Sequence, residues 1–207
     1  MAARQLTLLG HDEPAFDTTF AKIERTQLAR GAFVDYVPGL ISGQAALFEH
    51  LISTTAWRSA EEQMYDRLVA VPRLLALLPQ DGPGHPLLEA LRAALSRRYR
   101  QQLTRTTLAL YRDGRDSVAW HGDRVARRME QALVATVSLG GPRRFLLRPY
   151  GGGVSLAWSL GLGDLLVMGG SCQRTWQHAI PKLARAEPRI AIMFRPSWAD
   201  GEPEPQR

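Results

Sequence analysis

The segment ALVATVSLGGPRRFLLRPYGGGVSLAWSLGLGDLLVMGG, residues 132–170, alternates short apolar runs with clusters of glycine and proline. Its runs ALVATVSLG, RFLLRP, VSLAWSLG and DLLVMGG are a few residues long and rich in Val, Leu and aromatic side chains, the composition of strands on a half-buried pleated surface. Gly140-Gly141-Pro142, Tyr150 to Gly153 and Gly161 to Gly163 fall between them, where the chain must turn. Outward from this segment, TTLALYR (106–112) upstream and RIAIMFRP (189–196) downstream have the same character. Many short strands in succession predict a sandwich, barrel or jelly roll.

Before residue 106 the reading is helical. Ser42 is placed to cap a helix through AALFEHLIS (45–53), with Leu47, Leu51 and Ile52 offering an apolar face. A second helix follows PQDGPG (79–84), with Pro86 at an early helical position. Leu88, Leu91, Leu95 and Tyr99 keep helical spacing along it, while Arg92, Arg97 and Arg98 stay solvated. The expected fold class is therefore α+β: N-terminal helices, then a β core, in one domain over 1–207. Residues 1–105 form the first part, 106–198 the core, and ADGEPEPQR (199–207) a frayed acidic tail.

Bulk properties narrow the partners. Hydrophobic residues make up 45% of the chain and charged residues 22%, an ordinary globular composition. No apolar run approaches the roughly 20 residues that span a bilayer. The N-terminal MAARQLTLLGHDEPAFD lacks the apolar core of a signal peptide. Cys172 is the single cysteine, which excludes an internal disulfide and a thiolate zinc cluster. The expectation is a cytoplasmic protein with no membrane partner. Net charge is +6, and between Arg92 and Arg148 thirteen arginines face only four acids, Asp113, Asp116, Asp123 and Glu130. That excess favours an anionic partner such as nucleic acid. A second explanation stands beside it: the chain carries 24 Arg and only two Lys, a bias that raises the pI without requiring a ligand.

The chemistry-bearing residues are His121 and Asp123 in WHGD, His178 in QHAIP, and Arg189 and Arg195 in PRIAIMFR. In an extended segment residues i and i+2 share a face, so His121 and Asp123 can present an imidazole and a carboxylate to one metal, with Gly122 leaving room. His178 from another strand would complete a two-histidine, one-carboxylate set that leaves coordination positions open on iron(II). Taken alone, H-x-D recurs by chance. Arg189 and Arg195, six apart, share a strand face, and an arginine fork suits a dicarboxylate. Either they meet an anion on an otherwise apolar strand, or they flank an edge strand and reach water.

These motifs occur in an order that resembles the catalytic domain of the AlkB family of oxidative demethylases. The resemblance runs through LALYRDGRDSVAWHGD, ATVSLGGPRRFLLRP, LGDLLVMGGSCQRTWQHAIPK and PRIAIMFRP, about residues 106–195. A weaker likeness, in Trp57 and QMYDRLVAVPRL, falls where the family places its nucleotide-recognition lid, within 1–105. It implies a double-stranded β-helix (jelly roll) core. It implies further that His121, Asp123 and His178 bind Fe(II), that Arg189 pairs with the distal carboxylate of 2-oxoglutarate, and that Arg195 lies near the metal-bound end, close to Asp123. Tyr111 matches the family tyrosine that hydrogen-bonds the cosubstrate. Ala109 stands where the family usually carries Asn, so one cosubstrate contact is missing or replaced.

The implied activity is oxidative dealkylation of nucleic-acid bases with Fe(II), 2-oxoglutarate and O2, by a monomer acting on single-stranded DNA or RNA. Trp57, Tyr65, Arg73 and Trp120 are the candidate substrate contacts, since aromatics stack on bases and arginine meets phosphate. Each also has a packing explanation: Trp57 and Tyr65 in a core, Arg73 at a turn, and Trp120 on the strand face opposite His121. Cys172 and Trp176, which flank His178, are assigned to packing. The alternatives are a hydroxylase of a protein or small molecule with the same iron site, a β-sandwich that binds single-stranded nucleic acid without catalysis, and a zinc protein, which leaves the arginine pair unexplained.

Overall fold

The computed structural model of the protein describes residues 13–64, 67–78, 85–123 and 129–196. The strands in chain order are β1 (Ala15–Phe16), β2 (Glu24–Gln27), β3 (Phe33–Val37), β4 (Ile41–Ser42), β5 (Arg58–Met64), β6 (Arg67–Leu78), β7 (Arg105–Tyr111), β8 (Val118–His121), β9 (Val134–Gly140), β10 (Arg143–Pro149), β11 (Leu156–Leu160), β12 (Asp164–Gly169), β13 (Trp176–Ile180) and β14 (Arg189–Arg195). Helices α1 (Gln44–Thr54) and α2 (Pro86–Tyr99) precede β7, and the single turn α3 (Cys172–Thr175) leads into β13. None of the described helices is long and apolar enough to cross a membrane.

The strands form a large sheet in the order β2-β3-β12-β9-β14-β7-β6-β5 and a smaller one in the order β11-β10-β13-β8. Neighbouring strands pair antiparallel throughout both. Two turns, side by side, carry the chain between the sheets: the first leads from β9 to β10, the second from β11 to β12. They are bonded to each other, Leu162 N–H donating to the Gly140 carbonyl at 3.0 Å. Gly163 in the second has φ +92°, and a Cβ there would lie 2.4 Å from the Ile41 carbonyl oxygen, so only glycine closes this turn.

Strand periodicity sorts β14 onto two faces. Ile190, Ile192 and Phe194 point to one side, where they join Leu47, Phe48 and Leu51 of α1 and Leu88, Leu91 and Leu95 of α2 in a buried core. Ala191 points to the other side with Ala109 and Tyr111 of β7, meeting Phe145 and Leu147 of β10 and Ile180 of β13 in a second core between the sheets. Arg189 and Arg195 lie on this second face, two and four residues from Ala191. The candidate site is therefore built between the sheets.

The expectation of a helical first third is corrected by the structure. Both predicted helices are present, but β2, β3, β5 and β6 from the same region add four strands to the large sheet. The physical reason is tertiary. Without β3 and β6, β12 and β7 would be edges with unpaired backbone groups, and pairing satisfies those groups regardless of local helix propensity. ERTQ of β2 is polar and wholly exposed, so it carries no alternation to read. Ser42 does not cap α1; it pairs with Ala15 in the β1–β4 ribbon, and its hydroxyl donates to the Ala15 carbonyl. Gly43, at φ 60°, holds the N-cap position without a side-chain bond. In α2, Pro86 takes its expected place after His85, whose Nδ1 accepts from the Leu87 N–H at 3.2 Å. The segment resembling a recognition lid forms the β5–β6 hairpin at one edge of the large sheet. Tyr65, between those strands, and the tail over 199–207 lie outside the described residues.

Candidate active site

His121 ends β8 and His178 lies in β13, paired directly across the small sheet. Two steps further along, Ile180 pairs with Val118 rather than residue 119, so three positions on β8 span two on β13. Such a bulge re-aims side chains, and here it turns both Val118 and His121 inward, towards His178. The imidazole centroids are 4.2 Å apart. Ligand atoms of His121, Asp123 and His178 all lie within 4.8 Å of one another, close enough to share one metal ion.

Neighbours fix the state of each donor. The His121 Nδ1 lies 2.8 Å from the Ala119 carbonyl. A carbonyl can only accept, so Nδ1 donates, and Nε2 is the nitrogen left to meet a metal. His178 stacks on Phe145, with centroids 5.4 Å apart. Burial pushes its pKa down to about 3; His121, Arg195 and Arg73 add to the shift and Asp123 opposes it. His178 is thus a neutral ligand at ordinary pH. Burial would raise the Asp123 carboxyl, but Arg195, His178, His121 and Arg73 outweigh it and hold the group below its usual value. Arg195 approaches Asp123 at 3.6 Å and donates to the Thr107 hydroxyl at 3.0 Å.

The shift of His178 has a measurable consequence. Its folded pKa lies below the ordinary 6.5, so between about 6.5 and about 3 the unfolded chain binds a proton that the folded one refuses. Stability of the metal-free protein is expected to fall as pH drops through that window. Melting temperatures across pH, for the wild type and His178→Asn, check this: the variant should show the shallower dependence, and parallel curves would remove His178 as the cause.

Gln173 of α3 holds the H-G-D turn and has no signal in the sequence. Its side chain is buried, its Oε1 accepts from the Asp123 N–H at 3.1 Å, and its Nε2 donates to the Met168 Sδ at 3.6 Å. Its backbone carbonyl fills the space beside Gly122, where a Cβ would approach to 2.8 Å. Any side chain at 122 must push the turn away from α3. Gly122→Ala is expected to lower metal affinity about ten- to hundredfold through misplaced ligands. A metal titration that matches the wild type would show that the turn yields without moving His121 or Asp123.

Arg189 is 1% exposed. Its Nη2 donates to the Ser138 hydroxyl at 2.7 Å, while Nε and Nη1 are buried without partners. Its guanidinium lies 5.2 Å from the centroid of the Tyr111 ring. A buried cation with two idle donors is costly unless an anion completes it.

The sequence matches the 2OG-Fe(II) oxygenase superfamily over residues 79–195. The chain belongs to that superfamily. Curated relatives include alpha-ketoglutarate-dependent dioxygenase alkB homolog 3 of Homo sapiens, 29% identical over 70% of this chain and 52% of its own length. The Bos taurus homolog 3 is 28% identical over 79% of this chain and 65% of its own. The chain thus spans roughly half to two thirds of the curated relatives it matches. Among solved structures, OsALKBH1 superposes with TM-score 0.55 at 15% identity, over 83% of this chain and 99% of that one. A 2OG-Fe(II) family oxidoreductase from Burkholderia pseudomallei gives 0.52 at 12%, over 78% and 84%. Both share the fold.

This superfamily uses Fe(II), 2-oxoglutarate and O2, and the site fits that set. Two imidazoles and one carboxylate within reach of one ion are suitable iron ligands. The idle donors of Arg189 suit the carboxylate of a keto-diacid. Of the residues singled out from sequence, the structure gathers His121, Asp123, His178, Arg195 and Arg73 at the triad, and brings Arg189 to Tyr111 in the core between the sheets. Arg73 donates to the Ser117 carbonyl at 3.2 Å. Trp57 and Trp120 are not gathered there. The Trp57 indole donates to the Ile52 carbonyl and packs on the helix-side core. Trp120 lies under the Arg148 guanidinium, 4.0 Å from its ring centroid. Cys172 and Trp176 pack in the core between the sheets.

Proposed function

We propose that the protein removes N-alkyl groups from damaged nucleic-acid bases by oxidative dealkylation, as an AlkB-type dioxygenase. The observation that carries this reading is the pairing of the His121–Asp123–His178 triad with a buried Arg189 whose Nε and Nη1 donors are unmet. A metal-binding or nucleic-acid-binding protein without a keto acid has no use for that arginine. The similarity to alkB homolog 3 supports the choice among superfamily activities. The two facing sheets are read as the jelly roll of this family, with the β5–β6 hairpin as its recognition lid.

In this reading His121, Asp123 and His178 hold Fe(II), while Arg189 and Tyr111 receive the 2-oxoglutarate. Arg195 orients Asp123. Iron(II), 2-oxoglutarate and O2 together supply the oxidation of the alkyl carbon, after which the hydroxylated group is lost as an aldehyde. A stacked base cannot reach a triad set between two sheets, so the substrate is single-stranded or flipped out. Arg73, whose charge reaches Asp123 and His178, is the residue this reading assigns to the phosphate or base edge. The excess of arginine over residues 92–148 supports an anionic polymer as the partner.

The test is anaerobic loading with Fe(II) and 2-oxoglutarate, then oxygen, with and without an oligonucleotide carrying 1-methyladenine or 3-methylcytosine. Succinate that rises with the oligonucleotide, together with loss of the methyl group, is expected. Succinate without demethylation would overturn the substrate and keep the oxygenase. No succinate from folded, metal-loaded protein would overturn both.

A further inference from the structure

One buried charge remains unexplained by this assignment. β10 alternates Arg143, Phe145 and Leu147 towards the space between the sheets, and Arg143 is only 1% exposed there. Its Nη1 donates to the Asp113 carbonyl at 3.0 Å, and its Nη2 to the carbonyls of Asp116 and Pro181, both at 2.8 Å. Its Nε is buried with no partner. The guanidinium lies 5.5 Å from the centroid of the Tyr111 ring, the same ring that Arg189 approaches at 5.2 Å. Two buried guanidinium groups therefore share one tyrosine.

Neither is neutralised. Among the described residues no carboxylate forms an ion pair with Arg143 or Arg189. The acids whose charge reaches Arg143 are committed elsewhere, Asp116 to Arg112 and Asp113 to Arg115, each at 2.8 Å. Carbonyl bonds relieve part of the desolvation of Arg143, but they do not cancel its charge, and Arg189 adds repulsion. Burial lowers the pKa of both groups, the sign of cations held in an unfavourable place. The carbonyl bonds leave Arg143 against Tyr111, the ring that Arg189 also approaches and that the proposed function places at the cosubstrate.

We propose that Arg143 is a second cationic contact of the cosubstrate pocket, which with Arg189 holds the distal carboxylate of a 2-oxo diacid. This rests on the cosubstrate reading given under Proposed function. It assigns to Arg143 a specificity role: the two charges together select a diacid over a 2-oxo acid with the same chelating end and no distal carboxylate. The carbonyl bonds hold the guanidinium still and leave Nε as the donor without a protein partner for the ligand to meet.

The test compares binding of 2-oxoglutarate and 2-oxobutyrate to the full chain loaded with Mn(II), by calorimetry without oxygen. The wild type is expected to prefer 2-oxoglutarate strongly. Arg143→Gln should weaken 2-oxoglutarate by about tenfold or more and change 2-oxobutyrate by less than about threefold, the loss expected for one charged hydrogen bond. Equal weakening of both acids, or of neither, would overturn the proposal and leave Arg143 a strut. If circular dichroism shows Arg143→Gln unfolded, Arg143→Lys decides. It keeps the cation and loses the fork, so the diacid preference should persist even at a lower melting temperature, and loss of the preference would overturn the proposal. A wild type that does not prefer the diacid would instead refute the cosubstrate assignment itself.

Discussion

Asp123→Ala is expected to abolish turnover, because it removes the one anionic donor from the triad and leaves two imidazoles. The side chain is 10% exposed and faces Arg195 at 3.6 Å, in a space shaped by Gln173 and Gly122. Water entering in its place would bring no charge to offset the metal. The fold should survive, since Asp123 belongs to neither apolar core. A melting temperature lowered by the equivalent of about 1–3 kcal/mol is anticipated, the cost of leaving the buried Arg195 cation without its ion-pair partner. Succinate release in the presence of Fe(II) and 2-oxoglutarate is the measurement. Activity within tenfold of the wild type would mean that the metal is held elsewhere.

Arg189→Met should have the second-largest effect and an unusual signature. The substitution keeps most of the volume of a fully buried side chain but removes its charge. The 2-oxoglutarate concentration for half-maximal activity should rise about a hundredfold, the worth of a charge-assisted bidentate pair near 3 kcal/mol. The metal-free protein should become no less stable, because an unpaired buried cation with two idle donors has been taken out. Both readings come from one preparation: an activity titration with 2-oxoglutarate and a thermal melt without it. A lowered melting point with an unchanged cosubstrate requirement would make Arg189 a structural residue and move the cosubstrate elsewhere.

Legibility in the sequence followed burial. TTLALYR, ALVATVSLG, RFLLRP, VSLAWSLG, DLLVMGG and RIAIMFRP all correspond to strands, β7, β9 to β12 and β14, with ends displaced by a residue or two. They are buried on one or both faces, so their apolar content marks them whatever they pair with. The β2 strand and the β5–β6 hairpin escaped notice because pairing with an existing edge, rather than their own pattern, makes them strands. Arg143 left a trace that could have been read: a charge at the alternate position to Phe145 and Leu147 in an apolar strand. Gln173 left none. It acts from a four-residue turn through one bond to a backbone amide, and neither composition nor spacing records such a bond.

The candidate residues were legible from residue type alone, because the chemistry restricts it: imidazole and carboxylate for iron, guanidinium for a diacid. The sequence also sets the face of each strand, through a period of two that any antiparallel sheet must respect. How those faces meet is a property of the folded chain. The bulge in β8 that brings His121 across from His178, the carbonyl of Gln173 that demands glycine at 122, and the gathering of Arg143 and Arg189 on one tyrosine all join segments 32 to 78 residues apart. Such contacts depend on pairing register and on the turns that pass the chain between the sheets. They are set by the backbone's need to satisfy its hydrogen bonds in the whole fold, not by any local run of residues.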